Sequence, residues 1–466
     1  MNRVARVDAV LVCALAAAWA GWILSGHVGS LVYGVPLVPI VLAGCAIAVI
    51  GLLQRRRGAL LAFLCFVTVF PAISFRTREI GVPGLDWQNG LKLVIWGCLV
   101  GFGLAALRSW IGLLRDKVIL GFLCFGAFAI ASSAYSPVPA YSVACAIGMV
   151  GYMMFANVVA SNLDERDVLL SVCFGLGAYL AAGWLFAAMS PGSAFLPPNE
   201  GQDGYRMLGL SSHPNMLAIE AACFMAAIVT AFVKGYLPRR TTWLLALLGL
   251  ATIIASGSRT SALALALSIF AVEARRRGLL PLFVAIAAGC AALAGYVYGV
   301  GLLGGIDDVL RSVSRSGDAR EILTLTGRTE LWAFVWEKIM ERPLFGYGFN
   351  SAEAVLSRDW YGNADAGYNA HNVLLQSLLT VGFVGTVPFA CALAILANRW
   401  LTQRQRTLSS YVIPYLLILG FTEVHIASIP ILLTLMVFVA IALDAKHRTT
   451  PEQGSRAEHA TGRRMK

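Results

Sequence analysis

Apolar residues run through this chain in unbroken blocks rather than in alternation. A-L-A-L-A-L-S-I-F-A-V (262–272) and V-L-L-Q-S-L-L-T-V-G-F-V-G (373–385) are typical, and short polar segments rich in Arg, Gly, Pro and Ser separate them. About 20 mostly apolar residues span about 30 Å of hydrocarbon as a helix. Lipid offers the backbone no hydrogen-bond partner, so continuous runs of this length select helices and not open sheet. The pattern predicts an all-α, polytopic transmembrane helical bundle of about fourteen spans, with twelve to fourteen plausible. Helices 1–11 fall in 1–302, a large outward lid loop in 303–370, helices 12–14 in 371–444, and a basic, disordered tail in 445–466. Spans 241–256 and 260–274 are short and meet at a tight turn, as do 408–424 and 427–444, so either pair also suits a re-entrant hairpin.

The lid has its own pattern. Leu331, Trp332, Val335, Trp336, Ile339 and Met340 recur at helical spacing, which predicts an amphipathic helix with two tryptophans on its apolar face. Thr326 or Thr329 can cap its start. Pro343, Gly346 and Gly348 end it, and Asn350 with Glu353 reads as a capping box for a second short helix.

Composition closes off the soluble alternatives. Of 466 residues, 58% are hydrophobic and only 13% charged, and the mean hydropathy is +0.73. Soluble domains carry about 25% charged residues. The first apolar run, near 8–25, lacks a small-residue cleavage site and reads as a retained span. The net charge of +11 is a topology signal and not a nucleic-acid signal. With a cytoplasmic amino terminus, the clusters Arg55–Arg57, Arg108–Lys117, Lys234–Arg240, Arg275–Arg277 and Arg399–Arg406 and the tail all face the cytoplasm, as do both termini. All ten cysteines fall in predicted spans, so no disulfide framework and no zinc spacing is expected.

That topology places a set of polar residues outside. His371 stands where an apolar run begins, and a helix amino terminus disfavours imidazolium, leaving a ring that can accept a proton. Arg259 sits in the tight turn S-G-S-R-T-S, Arg206 in the loop before H-P-N (213–215), and Arg328 at the start of the lid helix. Taken singly, the histidine suits a cap, Arg259 a snorkelling contact, and Arg206 a loop ion pair. A cation at the position of Arg328 opposes the helix dipole, which points to an anionic partner, either Glu330 or a ligand. Together, guanidinium groups beside a neutral imidazole suit a lipid phosphate.

Four stretches in order carry a resemblance: R-M-L-G-L-S-S-H-P-N, S-G-S-R-T-S, L-T-G-R-T-E-L-W with P-L-F-G-Y-G-F, and H-N-x9-G-F-V-G. From about Ser133 to Gly385 the chain resembles the O-antigen ligase and O-antigen or exopolysaccharide polymerase superfamily, the integral-membrane C-type glycosyltransferases. The resemblance implies an inverting enzyme of the bacterial inner membrane with a periplasmic active site. Its donor would be an undecaprenyl-diphosphate-linked glycan, and its acceptor a glycan or a lipid A core. Membrane lipids and other parts of a polysaccharide assembly system are implied as partners, and neither cofactor nor metal is. Carried over, it makes His371 the base or the group that orients the acceptor hydroxyl. Arg206 and Arg259 would hold the diphosphate, Arg328 would assist, and Asn372 and Asn215 would support. The adjacent Asp307–Asp308 pair lies far from these motifs. His213 departs from the family pattern and reads as a turn residue before Pro214. The phrasing leans towards a polymerase over a ligase. The rival of another class is a lipid-linked oligosaccharide flippase, which would need ionisable groups at midplane. Here Glu220 is the clearest acidic residue inside a span.

Overall fold

A computed structural model describes residues 57–74, 87–105, 116–198, 204–279, 328–360, 368–403 and 405–449, with positions 114 and 281. The expected spans 8–25, 30–52 and 279–302 lie wholly or almost wholly outside these residues. So do the first part of the lid with Thr326 and the Asp307–Asp308 pair, and the tail after 449.

The chain within them is helical. In order come α1 (Arg57–Val69), α2 (Trp87–Ala105), α3 (Lys117–Ser132), α4 (Pro139–Asn162) and α5 (Glu165–Met189). A two-residue antiparallel ladder follows, β1 (Phe195–Leu196) with β2 (Arg206–Met207), in which Leu196 faces Arg206. Then come α6 (Pro214–Val233), α7 (Arg239–Ser256), α8 (Arg259–Arg276), α9 (Arg328–Glu341), α10 (Ala352–Asp359), α11 (Val373–Thr402), α12 (Leu408–Leu419) and α13 (Leu432–Thr449). Among the described residues, Lys117–Tyr135, Pro139–Asn162, Glu165–Met189, Pro214–Val233 and Val373–Thr402 are long and apolar enough to cross a membrane. The protein is an all-α, multi-pass membrane protein.

Local chemistry sets the helix ends. Asp116 caps α3 by accepting from the backbone N–H of Val118 and Ile119. Gly257 ends α7 at φ 62°, in the left-handed region. Thr407 and Ser410 form a capping box at α12. Between helices, lipid competes for apolar contact as well as any side chain does, so close packing carries the association. Phe122 meets Phe389 and Phe438 edge-on, and Phe125 lies 4.6 Å from the Phe389 ring. Gly148 lets α4 approach α2 until the Trp96 ring lies 2.5 Å from where a β-carbon would stand.

The two ends of the bundle differ. One is laced with ion pairs: Lys234 with Glu165 at 2.8 Å, Arg399 with Asp116 at 2.7 Å, and Arg406 with Glu273 at 2.6 Å. These are the basic clusters of the sequence pattern. The other end gathers the starts of α6, α8 and α11 with the ends of α7 and α12.

Several expectations are corrected here. The apolar run from 372 is not one smooth span, because α11 is broken at Gly382 (φ 62°, ψ −171°). The segment 343–348 fills the break: Tyr347 and Gly348 donate to the Leu379 and Thr380 carbonyls, while Phe383 and Val384 donate to those of Pro343 and Leu344. The ladder satisfies backbone groups that a broken helix leaves open. The expected span 408–424 ends as helix at Leu419, and 420–431 is an irregular segment rather than a tight turn. The first residues of the expected tail continue α13 to Thr449.

The lid helix α9 also differs from its pattern. Leu331, Val335 and Ile339 form the buried stripe, packed on Ala352, Leu356, Ala370 and Leu379. Trp332 lies beside it and Trp336 is exposed. The capping box is absent, since Ser351 is the N-cap of α10 and makes no side-chain cap. Asn350 is buried instead, donating to Cys145 Sγ and accepting from Ser428 Oγ at 2.8 Å.

Candidate functional site

The end of the bundle opposite the basic clusters converges on one carboxylate. Glu423, in the segment after α12, is buried, and its Oε1 accepts from Arg328 Nη2 at 3.2 Å and from Asn215 Nδ2 at 3.4 Å. Its Oε2 lies 3.7 Å from His371 Nδ1, beyond hydrogen-bond length but well within ion-pair range. Asn215 Oδ1 accepts in turn from Arg206 Nη2 at 2.6 Å. Five parts of the chain, β2, α6, α9, the approach to α11 and the segment after α12, therefore meet through this network.

Each member is set by its own local structure. Arg206 stands on β2, and its Nε donates to the Ser256 carbonyl at 2.9 Å, at the carboxyl end of α7, where a cation suits the dipole. Asn215 is in the first turn of α6. His213 caps that helix by accepting from the Asn215 N–H at 3.1 Å, so the turn reading of this histidine holds. Arg328 opens α9 and also donates to the Thr422 carbonyl. Its anionic partner is Glu423 and not Glu330.

His371 is buried and adopts φ 44°, a left-handed conformation that a non-glycine residue takes only when its surroundings impose it. Here they do. The His371 N–H donates to Asn369 Oδ1 at 2.7 Å, and the Ala370 N–H donates to Gln376 Oε1 at 3.0 Å. Trp332 Nε1 from the lid donates to the Ala370 carbonyl at 3.0 Å. Asn372 caps α11 by accepting from Leu374 and Leu375, and it donates to the Phe421 carbonyl at 3.3 Å. The Tyr368 ring meets the imidazole edge-on, 5.2 Å between centroids.

The motif H-N-x9-G-F-V-G now has a physical reading. Asn starts a half-helix, nine residues carry it to a break that needs glycine, and Gly385 packs where Phe128 leaves no room for a side chain.

Electrostatics single out two groups in the segment after α12. Burial pushes the Glu423 carboxyl up, but the close approach of His371, with Arg328 and His425, outweighs it and brings the group down to about 2. Burial pushes the His425 ring down to about 4 against the pull of Glu423, and the charge of Arg328 acts in the same direction as burial.

Of the residues expected from sequence, His371, Arg206, Arg328 and Asn215 belong to one connected group, and Asn372 caps the helix beside it. Arg259 opens α8 at the same end, three residues after the carbonyl that Arg206 holds, but its side chain is exposed. Sequence reasoning missed Glu423, His425 and Asn369. The available signal was the pair of ionisable residues in G-F-T-E-V-H-I (420–426), inside an apolar stretch where such residues are costly.

Residues 244–390 match the family described as O-Antigen ligase. That stretch is similar to an O-antigen ligase domain. It contains Arg259, Arg328, His371, Asn372 and the break at Gly382, whereas Arg206, Asn215 and Glu423 come from the chain on either side of it. The chain is also 25% identical over 355 residues to the exopolysaccharide production protein ExoQ of Rhizobium meliloti (strain 1021), covering 68% of this chain and 76% of the relative. Both similarities support the O-antigen ligase and polymerase superfamily.

Proposed function

We propose that this protein transfers a glycan from a polyprenyl-diphosphate donor, of the undecaprenyl class, to a sugar hydroxyl at the outer face of the bacterial inner membrane. The observation that carries the reading is the meeting of Arg206, Arg328 and His371 around Glu423 and Asn215 at the end of the bundle opposite the basic clusters. By the positive-inside bias that end faces the periplasm and both termini the cytoplasm. The domain limits at 302 and 370 belong to the same reading.

The acceptor O–H attacks the anomeric carbon, and the bond from that carbon to the diphosphate oxygen breaks with inversion. The hydroxyl proton passes to the His371 imidazole, and the diphosphate leaves on its lipid. Negative charge grows on the leaving group as the bond breaks, so fixed guanidinium groups stabilise the transition state more than the ground state. Asn215 and Glu423 hold Arg206 and Arg328 in place before substrate arrives, and Arg259 supplies an exposed cation at the same mouth. The chemistry calls on no metal or cofactor. The polyprenyl chain stays in lipid while its head enters from the side.

Polymerisation is favoured over ligation to a lipid A core, because the similarity to an exopolysaccharide production protein runs over 68% of the chain. The test uses purified protein and the lipid-linked glycan extracted from cells lacking it. His371→Ala abolishes transfer with the fold retained, and normal turnover in that variant removes the catalytic role. A processive ladder on polyprenyl diphosphate identifies a polymerase, and glycan on lipid A core identifies a ligase.

A further inference from the structure

Glu423 divides its two oxygens between two jobs. Oε1 holds Arg328 and Asn215, while Oε2 is turned towards His371 Nδ1 at 3.7 Å. Nδ1 is buried and makes no hydrogen bond among the described residues. A movement of about 0.7 Å closes the gap to hydrogen-bond length, and catalytic hydrogen bonds commonly tighten only when substrate is bound. The left-handed backbone at His371 aims the ring, and the Asn369, Gln376 and Trp332 contacts keep the backbone there.

Resting on the glycosyl-transfer reading, we infer that Glu423 is a positioning residue that acts through His371. Its carboxylate holds the Nδ1–H tautomer, so the Nε2 lone pair is the one presented to the acceptor hydroxyl. When Nε2 takes the proton, Glu423 stabilises the imidazolium. A neutral imidazole has one donor and one acceptor nitrogen, and whichever partner fixes the first decides the second. The residue gives up no proton and forms no bond to substrate. The other groups facing the ring are His425 from the segment that carries Glu423 and Tyr368 from the approach to α11, while Arg328 from α9 shares Glu423 with it.

Glu423→Gln keeps an Oε1 acceptor for Arg328 and Asn215 and removes a charge that repels any diphosphate the arginines hold. The role therefore predicts a split that simple loss of structure would not give. In Glu423→Gln, kcat with extracted lipid-linked glycan falls about 10²-fold or more, while the Kd for undecaprenyl diphosphate is unchanged or tighter. The acid limb of the pH–rate profile moves to lower pH, because removing an anion beside the ring favours the proton-free base. Wild-type kcat in Glu423→Gln overturns the inference, and so does a fall in kcat accompanied by weaker binding of undecaprenyl diphosphate. Should Glu423→Gln fail to fold, Glu423→Asp keeps the charge and draws it back by one methylene. A lower kcat with the acid limb in place supports the role, and a wild-type kcat overturns it. Activity in His371→Ala sinks the underlying reading instead, so the two failures are distinguishable.

Discussion

Gly382 faces Leu344 so closely that the Leu344 carbonyl oxygen lies 2.3 Å from where a β-carbon would stand. The contact is backbone on backbone, and it joins the lid to the broken helix. Gly382→Ala meets a double penalty, since φ 62° with ψ −171° is a backbone region almost reserved for glycine, costing another residue about 1–3 kcal/mol, and the carbonyl cannot rotate away without losing its bond from Val384. The variant is expected to lose thermal stability in detergent and to show faster amide exchange at 379–384. An unchanged melting temperature would mean that the break is not held by this ladder.

Arg206 uses the fork of its guanidinium, with Nε on the Ser256 carbonyl and Nη2 on Asn215. Lysine keeps the charge and loses the fork. Arg206→Lys is expected to lower donor turnover about 10²-fold with the helical circular dichroism retained. Arg259→Ala should also slow turnover. If kinetics stay at wild type there, the exposed Arg259 only meets lipid headgroups and the grip belongs to Arg206 and Arg328.

The bundle and most of the site were legible in the sequence because long apolar blocks and charged turns obey one-dimensional rules. His371, Arg206 and Arg328 stood out as polar residues at predicted outer ends. Glu423 did not, because the apolar run around it resembles a span, and only the tertiary fold shows the helix stopping at Leu419. The break at Gly382 was hidden for the same reason. A glycine in an apolar helix is ordinary, and what stops the helix is the segment 343–348, which arrives from elsewhere in the chain. On α9 the periodicity found the right stripe but counted the exposed Trp336 and Met340 in it. The fold buries the slimmer Leu331, Val335 and Ile339, and gives Trp332 a polar task.

Acid stability should fall in two overlapping windows. His425 titrates near 4 in the folded protein against an ordinary value of 6.5, so the unfolded chain binds its proton first and stability declines as pH falls from about 6.5 towards 4. Glu423 titrates near 2 against 4.5, so its contribution is present above about 4.5 and is lost as pH falls towards 2. Melting temperatures measured across this range should flatten in the upper window for His425→Gln and in the lower for Glu423→Gln. Curves parallel to wild type in both variants would show that neither group is linked to folding.

Trp332 ties the lid to the residue before His371. Its Nε1–H donates to the Ala370 carbonyl, and its helix packs on Ala370 and Leu379, so α9 acts as a brace for the strained backbone that aims the imidazole. Trp332→Phe keeps the ring packing and removes the donor. One hydrogen bond of this kind is worth about 1 kcal/mol in stability, so the protein should fold. Its effect on rate should be larger in proportion, because misplacing a catalytic group by a fraction of an ångström weakens proton transfer steeply. A fall of about tenfold in kcat, with little change in donor KM, is the expected result. Trp336→Phe, one residue type on the exposed face of the same helix, serves as the control and should leave kcat at wild type. Equal, small effects in both variants would show that the lid shelters the site without bracing it, and that the left-handed turn at His371 is held by Asn369 and Gln376 alone.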